Sequence, residues 1–257
     1  MIVNRTIVDD FLKGKDISQQ WIFSEIQEGS HLFDLSDATQ KSKEVAALTD
    51  RISDMVGHFE PCNAGYYRRL FPDFKKVLED VEIVLTVGVP APYDAMVMEK
   101  NGREVIVFDM GRFLSYQDPE GFARQMLTHE STHTLLHQRW QEKKEASYQE
   151  KLRFLAFDEG FAHLLACGKE LCSFDAAPWL QQYKEPAFAS LRQALACEDT
   201  EQQKEWLYRA QAGRYWEKFA AIAGKLYLLE HLQQLDEIYL AGPDHFMPQI
   251  FDASERN

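Results

Sequence analysis

The chain of 257 residues lacks most features that would set it apart from ordinary globular proteins. It has only four cysteines, Cys62, Cys167, Cys172 and Cys197, and none shares a C-x-x-C spacing. A disulfide scaffold or cysteine zinc framework is therefore not expected, and the thiols read as reduced. Nine prolines and 13 glycines are scattered without a linker, repeat or low-complexity tract, which argues against collagen-like and disordered classes. No apolar run reaches the length of a membrane span, and Asp9 and Asp10 interrupt the start before a signal-peptide core builds up, so the expectation is cytoplasmic. Basic charge is also scarce: 28 Lys plus Arg face 41 Asp plus Glu, a formal net charge of -13. Such a field repels phosphate backbones and anionic lipid, so neither nucleic acid nor membrane is an expected partner.

What is present patterns as α+β, mainly helical. From Val3 to Leu78 the apolar positions recur at three- and four-residue spacings, as in Val45, Leu48, Ile52, Met55, Val56 and Phe59, and the stretch reads as mostly helical. Residues 81–110 read as a small sheet, because Val81–Val89 is β-branched and Asn101-Gly102 between apolar flanks is a strong hairpin signal. Asp118-Pro119-Glu120 opens a helix expected to reach about Gln141. Ser147 and Glu150 spell a capping box for a second helix ending near Gly168. Segments 187–197, 201–223 and 225–240 complete a helical C-terminal lobe. The expectation is a single domain over 1–257 with lobes 1–141 and 142–257.

Inside the first capped helix lies His129-Glu130-Ser131-Thr132-His133, an H-E-x-x-H motif. Two imidazoles one turn apart on one face can share a zinc ion. Glu130, roughly 100° around the helix, can serve as general base without being a ligand. A catalytic zinc takes three protein ligands and keeps one position open. His137 stands about 12 Å along the helix from His129, too far to share an ion with both motif histidines. The metzincin pattern fails too, since Leu136 and Arg139 occupy its Gly and His positions. The remaining candidate is Glu159, in Phe157-Asp158-Glu159-Gly160-Phe161-Ala162-His163, with 25 residues between it and His133. A short loop over 142–146 makes its helix the antiparallel neighbour of the motif helix. Gly160 in mid-helix costs about 1 kcal/mol against Ala, so a close packing contact is expected there, with the ligand helix or the metal site as candidates.

H-E-S-T-H followed by D-E-G-F-A resembles the gluzincin metallopeptidases, and the E-G-F-A segment is similar to that of the large zinc aminopeptidases. Length and layout look most like the small bacterial predicted zinc-dependent proteases. The resemblance covers about residues 119–167; the aminopeptidase G-x-M-E-N motif is absent. It implies a zincin-like fold, with the sheet next to the active-site helix, and one Zn2+ per chain on His129, His133 and Glu159. It further implies peptide-bond hydrolysis with Glu130 as base, a peptide or protein substrate bound along a sheet edge, and a Tyr or His oxyanion donor on a later helix. For these last two roles Glu104–Met110 is the candidate edge strand and Tyr215 the candidate donor. A catalytically silent zincin-like domain that binds a peptide or protein partner, and a hydrolase of a non-peptide amide, share the same ligands. His163 reads equally as a partner of a ligand or as a satisfied interface histidine. Trp206, Tyr208, Trp216 and Phe219 read as core packing, and His31 and His58 as surface or interface histidines.

Overall fold

The computed structural model describes residues 1–26, 35–89 and 95–254; His31 lies outside them. In chain order the elements used below are β1 (Ile2–Asn4), α1 (Ser42–Gly57), α2 (Ala64–Leu70), β2 (Glu82–Thr86), β3 (Ala95–Lys100) and β4 (Arg103–Asp109). They continue with α3 (Pro119–His137), α4 (Tyr148–Leu165), α5 (Glu185–Leu195), α6 (Thr200–Gln211), α7 (Phe219–Glu230) and α8 (Leu235–Ala241), and shorter helical turns intervene. The protein is α+β and mainly helical, with one mixed four-stranded sheet. Among the described residues, no helix is long and apolar enough to cross a membrane, and all four cysteines are free thiols.

Two compact units divide the chain. The first comprises Met1–Pro61 and Asp73–Glu130. Its sheet has the order β1-β2-β4-β3, with β1, β2 and β4 parallel and β3 antiparallel to β4. The hairpin falls where the dipeptide places it: Lys100 pairs with Arg103, and Asn101 and Gly102 take φ of 54° and 75°, both in the left-handed region that such a tight turn requires. Ile83, Val84 and Leu85 of β2 and Val105 to Phe108 of β4 are buried, so the continuous apolar runs reflect strands covered on both faces. Helix α1 buries Val45, Leu48, Ile52 and Val56, the stripe read from the sequence.

Two expectations for this unit are corrected. The stretch from Val3 is not helical at its start: Ile2–Asn4 is a strand, paired with β2 from Ile2 opposite Glu82 to Asn4 opposite Val84. Three residues are too few to show a period of two, and the pairing spans nearly 80 residues of chain. Nor is Glu104–Met110 an edge strand. β4 is bonded on both sides, by β2 and by β3, and Met110 already belongs to the following helical turn. The partner on the other side of β4 is β2, which pairs in parallel, with Ile83 opposite Ile106, and parallel pairing is invisible to hairpin logic.

Asp109 closes β4 and caps that turn. Its carboxylate accepts from the backbone N–H of Arg112 at 2.9 Å and of Val89 at 2.6 Å. Burial pushes its pKa up to about 6, against the lowering effect of these bonds and of Arg112. A pKa raised above the unfolded value contributes stability below the unfolded pKa that is lost as pH rises through 6. The stability difference between the protein and Asp109→Asn, which does not ionise, is therefore expected to fall by about 2 kcal/mol between pH 4 and pH 6.5. Urea unfolding of both proteins at the two pH values measures it, and a pH-independent difference contradicts it.

The second unit comprises Cys62–Pro72 and the chain from Ser131 onward. The early segment joins it through Asn63, whose side chain donates to the carbonyls of Leu165 and Cys167 and accepts from the N–H of Leu171, closing the C-terminal end of α4. Tyr67 of α2 brings its hydroxyl to 2.8 Å from that of Ser131. Helices α4 and α7 cross in backbone contact: a Cβ on Gly160 would lie 2.8 Å from the carbonyl carbon of Gly224. The expected close packing at Gly160 is with α7. The expected helix over 201–223 is two helices, since α6 ends at Gln211, a 3-10 turn spans Tyr215–Glu217, and α7 begins at Phe219. Phe219 is buried, but Tyr208 is 67% exposed and is not core. His58, in the first unit, is exposed as expected.

Candidate metal centre

Both helices that carry the motifs start where their caps predict. The N–H of Gly121 donates to the Asp118 carboxylate at 2.9 Å, opening α3. Ser147 and Glu150 satisfy each other's backbone N–H groups at the start of α4. Residues 138–147 then return the chain, and the capping box fixes where α4 begins, so Glu159 is set at the level of the α3 histidines.

The division between units falls inside α3, between Glu130 and Ser131. Helix continuity therefore ties His129 and Glu130 to His133. His129, His133 and Glu159 each present one donor atom, and the three atoms lie within 4.8 Å of one another. His133 Nε2 is 4.0 Å from Glu159 Oε1. Two imidazole nitrogens and a carboxylate oxygen are a zinc donor set, and at bond lengths of about 2 Å one ion reaches both atoms of such a pair. The residues present thus fit a divalent metal, and Glu130 sits beside the set, 9% exposed, on the same helix.

Asp158 is the residue the sequence reading passed over. Its Oδ2 lies 2.8 Å from His133 Nδ1, and its Oδ1 lies 3.3 Å from His137 Nε2. Burial works against the charged form, but His133 and His137 outweigh it and hold the carboxyl well below its usual range. An ionised carboxylate only accepts, so Nδ1 of His133 carries the proton and Nε2 keeps its lone pair for a metal. His137 is not a co-ligand of the motif pair; with His133 and Asp158 it forms a second donor group that shares His133. The available signal was adjacency: a helix that aims Glu159 at Nε2 of His133 places Asp158, 100° round, against its Nδ1 and against His137.

Burial raises the Glu159 carboxyl, an effect that His133 partly offsets. His163, one turn on, has Nε2 3.4 Å from Glu159 Oε2. Burial holds the imidazole well below its usual pKa, with Lys218, Lys225 and His133 acting in the same direction, so it stands neutral beside the carboxylate. His163 thus lies between Glu159 and the Tyr215 ring. Tyr215 is not part of the donor group. It sits on the 3-10 turn before α7, not on an α-helix start, and meets His163 edge-on with ring centroids 5.1 Å apart. Its hydroxyl accepts from Lys225 Nζ at 2.6 Å, a lysine the sequence reading did not single out. Trp216 stacks on Tyr183 at 3.7 Å, and Trp206 meets Phe219 edge-on, so these rings pack on protein.

No family model matches the sequence, and neither a curated protein nor a solved structure is similar enough to be matched.

Proposed function

We propose that this chain is a zinc-dependent peptidase of gluzincin type with a zincin-like fold. One observation carries the reading: His129 and His133 of α3 and Glu159 of α4 converge as a two-nitrogen, one-oxygen donor set with Glu130 beside them. His129, His133 and Glu159 hold the ion, one per chain, and Asp158 fixes the orientation of His133. When bound, zinc supplies Lewis acidity toward a carbonyl and a water. Glu130 takes a proton from the attacking water and delivers it to the leaving amine. Tyr215 donates a hydrogen bond to the oxyanion of the substrate.

Metal content decides the reading. By plasma mass spectrometry the purified protein is expected to carry about one zinc per chain, and Glu159→Ala to lose most of it, as ligand sets need three protein donors. Equal zinc in both proteins means that Glu159 is not the third ligand. No zinc in either, even after supply, points to a silent domain that binds a partner.

A further inference from the structure

Helix α7 buries an amine in a mostly apolar sequence: Lys225 is 1% exposed. A buried ammonium needs compensation, and this one has two kinds. Its Nζ donates to the Tyr215 hydroxyl at 2.6 Å, and it lies over the rings of Trp179, Tyr215 and Trp216 at 4.4, 5.0 and 5.5 Å from their centroids. Trp179 packs edge-on against Trp216, and Tyr183 stacks on the far side, so the cage is itself held in place. Burial lowers the amine to about 8, with Cys167 acting the other way, which leaves it mainly charged at neutral pH. On its other side the Tyr215 ring rests on His163, the neighbour of Glu159.

An ammonium has three donors and no acceptor. The Tyr215 oxygen therefore receives a hydrogen bond from Lys225, and its own proton has to find an acceptor elsewhere. A neutral side chain of the same length imposes no such direction. We infer that Lys225 is a positioning residue that holds the Tyr215 hydroxyl with its proton turned away from the cage, as a donor to the substrate oxyanion. The inference rests on the peptidase reading above and adds to it the group that makes Tyr215 a one-way donor.

The test uses the zinc-loaded full chain with fluorescent casein. Tyr215→Phe is expected to lower kcat by about 10²-fold, as loss of an oxyanion donor does. Lys225→Met is expected to lower it by at least about 10-fold, with KM, zinc content and Tm unchanged. The double variant is expected to be no slower than Tyr215→Phe alone, because Lys225 acts only through that hydroxyl. Lys225→Arg, another donor-only cation, is expected to recover most of kcat. A Lys225→Met protein that cleaves at the wild-type rate overturns the inference. So does one that loses kcat equally in the Tyr215→Phe background, or in step with zinc or Tm. Independently of turnover, 15Nζ-lysine NMR below neutral pH is expected to show a protected Lys225 ammonium signal that shifts in Tyr215→Phe. That signal without casein cleavage by the wild type defeats the peptidase reading and the inference that rests on it. Casein cleavage without that signal defeats the Lys225 assignment alone.

Discussion

Glu130→Gln is expected to keep its zinc and to lower casein hydrolysis by about 10³-fold, the range that a positioned acid–base group contributes. Gln matches Glu in length and shape, and Glu130 is not among the three donors that converge, so metal content stays that of the wild type. What disappears is the proton acceptor on α3. The amide oxygen of Gln still accepts a hydrogen bond from water, but it does not take up a proton and return it. Paired assays of zinc per chain and hydrolysis rate separate the two functions. A variant with both zinc and wild-type hydrolysis removes Glu130 from the mechanism. A variant that loses its zinc shows that Glu130 holds the ion, directly or through its neighbours.

Gly224→Ala is expected to destabilise the protein by about 3 kcal/mol, although Ala is the better helix former by about 1 kcal/mol. The sign follows from geometry. A Cβ on Gly224 would overlap the carbonyl oxygen of Ala156 and lie 3.0 Å from the Cα of Gly160. These are backbone atoms of a regular helix, so α4 and α7 have to separate. Gly160→Ala meets the same interface at 2.8 Å and is expected to act in the same direction. Because Gly160 follows Glu159, separation also displaces the third donor, and zinc is expected to be held more weakly in both variants. Gly65→Ala is the control: it lies on α2 with nothing within 4 Å of the new methyl group, and there the propensity gain stands alone. Urea unfolding of the three variants, with zinc retention measured alongside, checks the expectation. A stability for Gly224→Ala at or above that of the parent contradicts the crossing.

The candidate site was legible to the extent that it is helical and local. H-E-x-x-H sets two imidazoles on one face through the helical repeat alone, and Ser147 with Glu150 sets where α4 begins. Glu159 was reached by expecting a short loop over 142–146; α3 ends at His137, not near Gln141, so the connection is longer, 138–147, and still returns α4 alongside α3. Asp158 and His137 were on the page as letters, but their pairing requires knowing the rotation of α4 against α3. Lys225 carried no signal at all. In sequence it is a polar residue in an apolar helix, and only the cage of Trp179, Tyr215 and Trp216 shows that it is buried and aimed.

The same division runs through the fold. Local chemistry by itself determined the helical class, the Asn101-Gly102 hairpin, the α1 stripe, the two capped helices and the histidine pair, because caps, turns and periods act within a few residues. The tertiary structure alone decided that β1 joins the sheet, that β4 is central, that helix 201–223 breaks before Tyr215, and what packs on Gly160. Each depends on surfaces brought together from distant parts of the chain, where burial and backbone pairing outweigh local preference.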